Sequence, residues 1–222
     1  FTAAENQTAI GTISASDADG DTVTYSLSGS DASSMSINAS SGVLTFNSAP
    51  DYETKSSYTA TVTASDGTNS ATQNITVNVT NVNDNTPSIT SSATFSAAEN
   101  QTAIGTVTAT DADGDTVTYS LSGSDASSMS INSSNGVLTF NSAPDYETKS
   151  SYTATVTASD GTDSTSQAIT VSVTDVDDAA PVFTSSATFS AAENQTAIGT
   201  VTATDSDSDS LTYSLSGSDA SS

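Results

Sequence analysis

The sequence predicts an all-β fold made of β-sandwiches in tandem, and two observations carry this prediction. The first is an internal repeat: the segment Ala-Glu-Asn-Gln-Thr-Ala-Ile-Gly-Thr begins at Ala4, Ala98 and Ala192, so the period is 94 residues. The second is an apolar period of two inside each repeat, which is typical of strands with one face on a core and the other in water. Each period is long enough to fold as a small domain.

The repeats are nearly identical to one another. Residues 1–84 and 95–178 differ at 13 of 84 positions, and the 222 residues hold two full periods and the beginning of a third. We therefore expect domains at residues 1–86, 87–180 and 181–222, the last being a partial repeat. Because the chain starts and stops inside its own repeat, we expect it to be a piece of a longer tandem array.

The predicted strands of the first repeat follow in chain order from the alternation. In the runs 23–27, 35–37, 58–64 and 75–79, an apolar residue or tyrosine alternates with Ser, Thr or Asn. No ten-residue stretch has helical periodicity. Six or seven short strands separated by turns every 8–12 residues favour a β-sandwich. The turns are predicted at Gly42, at Gly67 and at the corner Asp19-Gly20-Asp21.

Composition and charge exclude several classes of function. The chain has no Cys and no His, so it has no thiolate or imidazole metal site, no disulfide and no Ser–His–Asp apparatus. Two lysines against 26 acidic residues give a net charge of −24, which disfavours nucleic acid and anionic membranes as partners. No apolar run approaches the roughly 20 residues that a membrane span needs, so no membrane insertion is expected.

The acidic residues gather in the predicted loops. Turns at one end of a sandwich lie close together, and carboxylates crowded there without lysines repel one another. Hard divalent cations offset such repulsion, because Ca²⁺ takes six to eight oxygen ligands from carboxylates, amides and backbone carbonyls. The sequence therefore predicts calcium sites in these loops. The loop acids of the first two repeats include Glu5, Asp17, Asp19, Asp51, Glu53, Asp66 and Asp84, then Glu99, Asp111, Asp113, Asp145, Glu147, Asp160, Asp175, Asp177 and Asp178.

With these residues in view, the sequence resembles the cadherin repeat in its bacterial form, over essentially the whole chain. Six motifs occur in the family's order and recur after 94 residues. In the first repeat they are Ala4-Glu5-Asn6, Asp17-Ala18-Asp19, Met35-Ser36-Ile37 with Gly42-Val43-Leu44, Asp51-Tyr52-Glu53, Ala64-Ser65-Asp66, and Asn81-Val82-Asn83-Asp84-Asn85-Thr86-Pro87.

The resemblance implies tandem seven-stranded Greek-key cadherin-like β-sandwiches joined by calcium-binding linkers, with about three Ca²⁺ at each complete junction. At the first junction it assigns two ions to Glu5, Asp51, Glu53, the backbone of Val82, Asp84 and Asp113. It assigns the third ion to Asn83, the carbonyl of Asn85, Asp111, Asp113 and Asp160.

At the second junction the resemblance gives the same roles to Glu99, Asp145, Glu147, Asp175, Asp177, Asp178, Asp205 and Asp207. This junction departs from the family pattern, because Asp177 stands in place of the usual Asn and Ala179 has no polar side chain. The family's longer loop after the Asp-x-Asp motif is shortened to Gly20-Asp21 and Gly114-Asp115. Asp21 and Asp115 are either compensating ligands or solvated turn residues, and both alternatives stay open.

The predicted function is mechanical. Calcium would tie neighbouring repeats of the same chain into a stiff extender of a large adhesin or fibre, placed extracellularly or on a bacterial cell surface. Extracellular calcium modules bind at about 10⁻⁴–10⁻³ M, which suits that setting.

Three other functions have weaker support in the sequence. A carbohydrate-binding module is possible but unsupported, since the chain has no Trp; Tyr25, Tyr58, Tyr119, Tyr152 and Tyr213 are expected on apolar strand faces, whereas Tyr52 and Tyr146 could be exposed. Homophilic adhesion or self-assembly into a filament would use exposed edge strands and other copies of the chain. An enzyme is not expected, because metal ligation accounts for the carboxylate pair Asp51 and Glu53 and for its neighbours.

Overall fold

The computed structural model describes residues 1–220 and shows an all-β protein. Its only helices within these residues are two single 3₁₀ turns, Ala32–Ser34 and Ala126–Ser128. In the same range no helix is long and apolar enough to cross a membrane. The chain divides into two compact units, one of Phe1–Pro87 with Asp111–Thr116, the other of Ser88–Thr110 with the chain from Val117 onward.

The first unit contains seven strands in two sheets. A four-stranded sheet has the order β1-β7-β6-β3, and a three-stranded sheet has the order β2-β5-β4. Every pairing is antiparallel except that of β1 with β7, in which Ala3 lies opposite Val79. The strands are β1 (Thr2–Ala4), β2 (Ala9–Thr12), β3 (Thr24–Ser28), β4 (Met35–Ile37), β5 (Val43–Phe46), β6 (Ser57–Ser65) and β7 (Ser70–Thr80).

The second unit repeats this arrangement. Its four-stranded sheet has the order β12-β15-β16-β9 and its three-stranded sheet the order β10-β14-β13, while β8 pairs with β11. The strands are β8 (Ser88–Ile89), β9 (Thr94–Ala98), β10 (Ala103–Thr106), β11 (Ala109–Thr110), β12 (Thr118–Ser122), β13 (Met129–Ile131), β14 (Val137–Phe140), β15 (Ser151–Ser159) and β16 (Ser164–Thr174).

The core of each unit follows the predicted alternation. Along β6, Ala60 and Val62 are buried, and along β7 the buried residues are Ile75, Val77 and Val79. Leu44 and its counterpart Leu138 are fully buried between the two sheets of their respective units. The seven-stranded Greek-key sandwich predicted from the sequence is thereby confirmed.

The turn between β4 and β5 requires glycine. Gly42 has a φ of +68°, and a Cβ there would stand 2.1 Å from the carbonyl oxygen of Ile13. Gly136 in the second unit has the same conformation, with a Cβ 2.0 Å from the oxygen of Val107. A side chain at either position would combine an unfavourable φ with a steric clash.

Among residues 181–220 there is only one short pairing, between β17 (Val182–Phe183) and β18 (Ala203–Thr204). The expectation that Tyr213 lies on an apolar strand face is wrong, because residues 212–216 are not a strand and Tyr213 is 55% exposed. The identical segment Thr-Tyr-Ser-Leu-Ser forms β3 and β12, where it pairs with β6 and β15. Residues 212–216 have no such partner strand among the described residues.

Candidate metal centre

A buried carboxylate anchors the site in the first unit. Glu5 follows β1 directly and is only 2% exposed. Its Oε1 accepts a hydrogen bond from the backbone N–H of Val82 at 2.6 Å, and its Oε2 accepts one from the N–H of Tyr52 at 2.8 Å. Because a buried charge needs compensating donors, these two bonds fix the linker and the 51–53 loop against the end of β1.

Asn6 continues this anchor. Its φ of +59° places it in the left-handed region that Asn tolerates, and its N–H donates to the carbonyl of Pro50 at 3.0 Å. Its side-chain amide donates to Asp84 in the linker. The turn after β1 therefore holds both the linker and the segment that leads to Asp51.

Asp113 is held against the first linker, which we define as residues 81–87. Its Oδ2 accepts the backbone N–H groups of Asp84 at 3.0 Å and of Asn85 at 2.8 Å. The side-chain amide of Asn85 donates to Asp113 Oδ1 at 2.8 Å and to Asp84 Oδ1 at 2.9 Å. Desolvation pushes the pKa of Asp113 upward, but these hydrogen bonds outweigh it and hold the pKa below its usual value.

Four carboxylates converge at this point. Oxygens of Glu5, Glu53, Asp84 and Asp113 all lie within 4.8 Å of one another. Desolvation, followed by the charges of Glu5 and Asp113, raises the pKa of Glu53. The group has no lysine of its own, because the two lysines of the chain, Lys55 and Lys149, bind Asp31 and Asp125 instead.

A second group lies beside the first. Oxygens of Asp111, Asp113 and Asp115 lie within 4.8 Å of one another. The side-chain oxygen of Asn83 and Oδ2 of Asp111 are buried and have no hydrogen-bond partner. Buried oxygens without hydrogen-bond donors are costly, and such oxygens are the ligands that a hard cation binds. The donor set of both groups therefore fits Ca²⁺.

The second linker, residues 175–181, repeats the anchor. Glu99 is 2% exposed and accepts the N–H groups of Val176 at 2.7 Å and of Tyr146 at 2.8 Å. Asn100 donates to Asp178. Three overlapping carboxylate groups follow, each with oxygens within 4.8 Å: Glu99, Glu147 and Asp175; Glu147, Asp178 and Asp207; and Asp177, Asp207 and Asp209.

Electrostatic crowding is stronger at the second linker. Desolvation, followed by the charges of Asp207 and Glu99, raises the pKa of Asp175. Desolvation, followed by the charges of Glu99 and Asp207, also raises the pKa of Glu147. The charge of Asp177 is the largest cause of the raised pKa of Asp209. These carboxylates are destabilised as anions unless a cation joins them.

Seven of the predicted carboxylate ligands stand outside these groups within residues 1–220. Asp51 and Asp145 accept hydrogen bonds from the backbone and hydroxyl of the threonine three residues on, and those bonds lower the pKa of both residues. Asp205 accepts the N–H of Asp207 at 3.0 Å. The remaining four lie in turns where they accept backbone N–H groups or adjoin residues that do: Asp17, Asp19, Asp66 and Asp160.

Sequence reasoning missed an anchor beside the site. Lys55 binds Asp31 and lies 4.7 Å from the ring centroid of Tyr58. Asp31 also accepts the N–H of Thr59 at 2.8 Å, so it ties the 51–55 loop to β6. The signal was available, because the two lysines of the chain are 94 residues apart and occupy the same position in each repeat.

Comparison with known proteins identifies the family. The family described as Cadherin domain matches residues 1–80 and 92–174. The chain belongs to the cadherin family. It carries cadherin repeats in tandem, and the homologues in this family are adhesion proteins rather than enzymes.

Curated relatives are animal cadherins. Protocadherin Fat 4 of Homo sapiens is 36% identical over 147 residues, which cover 61% of this chain and 3% of that protein. Cadherin-23 of Homo sapiens is 32% identical over 181 residues, which cover 76% of this chain and 5% of that protein. The matched part of this chain thus spans only 3% to 5% of the length of these relatives.

Solved structures agree with the fold. Human CDH23 EC21-23 matches with a TM-score of 0.76 and 26% identity, covering 97% of this chain and 85% of that one. Mouse Cadherin-23 EC22-24 matches with a TM-score of 0.71 and 28% identity, covering 92% and 74%. Cadherin domains are in general calcium-binding, which agrees with the donor chemistry of the acidic groups.

Proposed function

We propose that this chain is an extender segment of an extracellular adhesion protein, in which Ca²⁺ bound at the linkers stiffens the array of repeats. One observation carries the proposal: four carboxylates of the first unit lie within 4.8 Å of one another around the buried Glu5. A like-charged group of this kind is stable at neutral pH when a hard cation compensates it.

The proposed ligands of the first linker combine residues that are distant in sequence. Glu5 and Glu53 come from the first repeat, whereas Asp113 belongs by sequence to the second repeat although it packs within the first compact unit. Two ions would be held by these residues with Asp51, Asp84 and the carbonyl of Val82. A third ion would be held by Asn83, the carbonyl of Asn85, Asp111, Asp113 and Asp160.

At the second linker the equivalent roles fall to the matching residues of the next repeat. About three ions per complete junction is the proposed stoichiometry. Asp17, Asp19 and Asp66 occupy the corresponding positions of the first repeat and would serve a preceding repeat in a longer array. The proposed ligands of the second linker are Glu99, Asp145, Glu147, Asp175, Asp177, Asp178, Asp205 and Asp207.

The mechanical effect follows from electrostatics. With cations bound, carboxylates from both sides of a linker attract the same positive charge, and the linker loses its freedom to rotate. With cations removed, like charges repel and the linker becomes a flexible hinge. Millimolar calcium outside cells would keep the array stiff, since extracellular modules bind at about 10⁻⁴–10⁻³ M.

The test combines calorimetry with small-angle scattering. Calcium is titrated into the chelated chain, and the maximum dimension is measured with Ca²⁺, with chelator and with Mg²⁺. We expect binding that stiffens the chain in Ca²⁺, weakened by Asp113→Asn. Asp219→Asn is the matched control, because within residues 1–220 Asp219 joins no carboxylate group. Identical scattering with and without chelator contradicts the proposal.

The domain limits and the cellular setting are part of the same proposal. We place the repeats at residues 1–86, 87–180 and 181–222, and the matched ranges 1–80 and 92–174 support the first two. A bacterial surface adhesin is the proposed parent, supported by the near-identity of the repeats, whereas the relatives named above come from animals. Limited proteolysis in calcium, followed by mass spectrometry, tests the limits.

Self-assembly is a second candidate function, and the open sheet edges favour it. In the first unit β3 and β1 are the outer strands of the four-stranded sheet, each with one paired neighbour. Exposed edges permit pairing with other copies of the chain. Sedimentation equilibrium in calcium would show a mass that rises with concentration.

Glycan binding stays a hypothesis that depends on Tyr52, which is 36% exposed. Loss of binding to a glycan array in the variant Tyr52→Ala would support it.

A further inference from the structure

The second linker contacts the carboxylate of Asp207, of which only one oxygen accepts hydrogen bonds. Asp207 is 9% exposed, and its Oδ2 accepts the N–H groups of Asp178 at 2.9 Å and of Ala179 at 2.8 Å. Its other oxygen, Oδ1, is buried and has no hydrogen-bond partner. An ionised oxygen in this state is costly unless a cation binds it. The buried oxygen therefore indicates a ligand at the group to which Asp207 belongs.

That group contains a residue outside the ligand set proposed above. Oxygens of Asp177, Asp207 and Asp209 lie within 4.8 Å of one another. Asp177, Asp205 and Asp209 also line a cavity of about 610 Å³, together with Tyr213. Pairing of β17 with β18 holds the linker next to the loop that carries Asp205, Asp207 and Asp209. A hydrated cation thus has access to the group from the cavity.

The loop itself does not need the carboxylate at this position. In the first two repeats the backbone N–H groups of Asp21 and Asp115 donate to Oδ1 of Asp17 and Asp111, at 3.1 and 3.2 Å. A backbone N–H of almost any residue could donate this hydrogen bond, so the turn does not require a carboxylate side chain at this position. Within residues 1–220, the side chain of Asp21 joins no carboxylate group, whereas those of Asp115 and Asp209 do. A turn role alone therefore does not account for Asp115 and Asp209.

The two linkers differ in the charge that they add to this pocket. Asn83 contributes a neutral amide at the first linker, and Asp177 contributes a carboxylate at the same position of the second. The pocket of Asp177, Asp205, Asp207 and Asp209 has four carboxylates. Its counterpart has three, on Asp111, Asp113 and Asp115, beside the amide of Asn83.

We propose that Asp209 and its counterpart Asp115 are cation ligands, and that Asp177 makes the pocket at the second linker bind hard cations more tightly than the first. The inference rests on the proposed calcium function and adds a ligand to the same region. Ligand charge is one of the terms that set calcium affinity over several decades. A trivalent lanthanide gains more than Ca²⁺ from the fourth carboxylate, because Coulomb attraction scales with charge.

The experiment uses the whole chain and two probes. Calcium binding is measured by calorimetry for the wild type, Asp209→Asn, Asp115→Asn, Asp177→Asn and the control Asp21→Asn. Tb³⁺ luminescence excited through tyrosine reports the second pocket, because Tyr213 lines the same cavity. Tyr213→Phe identifies that signal, and unfolding in chelator verifies that each variant is folded.

We expect Asp209→Asn to weaken one class of calcium sites about tenfold or more and to lower the Tyr213-sensitised Tb³⁺ signal. Asp177→Asn should lower the cation affinity of the second pocket towards that of the first. Asp115→Asn should weaken another class of calcium sites and leave the Tyr213-sensitised Tb³⁺ signal unchanged. If wild-type binding is present and Asp209→Asn matches Asp21→Asn, the inference is overturned while the proposed function stands. If the wild type binds no calcium, both are overturned.

Discussion

The two linkers share their anchor and differ in how their negative charge is compensated. Glu5 and Glu99 accept hydrogen bonds from equivalent pairs of backbone N–H groups, with distances of 2.6 and 2.8 Å in one unit and 2.7 and 2.8 Å in the other. In the first linker Asn85 donates its amide to neighbouring carboxylates, but the second linker has Ala179 there. The geometry of the glutamate anchor is thus the same in both units, whereas the linker carboxylates depend more on a cation at the second linker.

The direction of the pKa shifts expresses this difference. Desolvation pushes the pKa of Asp113 upward, but hydrogen bonds, chiefly those from Asn85, outweigh it and lower that pKa. Desolvation and neighbouring charges raise the pKa of Glu53 and of its counterpart Glu147 alike. The linkers differ at Asp175, which replaces Asn81 and whose pKa is raised by desolvation and by the charges of Asp207 and Glu99. An amide donor therefore substitutes in part for a cation at the first linker, and the second linker lacks that substitute.

The largest effect is expected from the shared anchor. Glu5→Gln and Glu99→Gln each replace an acceptor oxygen by an amide that faces a backbone N–H, so each should cost about 2–4 kcal/mol of unfolding free energy. Because the two anchors have the same geometry, the costs in chelator should be equal. Hydrogen exchange resolved by peptide measures the stability of each unit separately. Unequal losses of stability in the two variants would show that the two glutamate anchors are not equivalent.

A smaller effect is expected from calcium removal, and it should differ between the linkers. Chelation should reduce hydrogen-exchange protection more at residues 175–181 than at residues 81–87, because the second linker carries more carboxylates and no Asn85 equivalent. Added monovalent salt should narrow the difference by screening. Equal losses in both linkers would remove the proposed electrostatic distinction.

The amide itself can be exchanged between the linkers. Asn85→Ala should cost about 1 kcal/mol in chelator, which is typical of a lost hydrogen bond. Ala179→Asn should stabilise the second linker in chelator by supplying the missing donor. Thermal unfolding with and without Ca²⁺ measures both changes, and both should shrink when calcium is bound. A destabilising Ala179→Asn would show that the amide does not substitute for the cation.

The smallest effect is expected from the lysine anchor, which is the same in both repeats. The hydrogen bond from Lys55 lowers the pKa of Asp31, and Lys149 does the same for Asp125. A lowered folded-state pKa means that the stabilisation is present above the unfolded value of 3.8 and is lost as pH falls through the folded value. Asp31→Asn and Asp125→Asn should each remove this acid-dependent loss to the same extent in an acid titration followed by circular dichroism.

The sandwich could be predicted because its period-two pattern is local. What the pattern could not predict is whether a segment finds a partner strand. Thr-Tyr-Ser-Leu-Ser is a strand at residues 24–28 and 118–122, where β6 and β15 pair with it, and is not a strand at residues 212–216. Leu27 packs against the core, whereas Leu215 is 82% exposed. Strand formation here depends on long-range pairing rather than on propensity alone.

The carboxylates of the site could be named from the sequence because they follow motifs. Their compensation could not be, since it depends on contacts between distant segments. Asn6 and Asp84 are 78 residues apart, and Lys55 and Asp31 are 24 residues apart. Asp209 is a candidate ligand because its carboxylate lies beside that of Asp177, a proximity that the sequence does not show. The ligand roles themselves stay predictions.

The most direct test of the central claim is a crystal structure of this chain grown in millimolar calcium, with anomalous differences collected to identify the ions. The account predicts calcium peaks among Glu5, Glu53, Asp84 and Asp113, with further peaks beside Asp111 and among Asp177, Asp207 and Asp209. Water alone between these carboxylates, at saturating calcium, would contradict it.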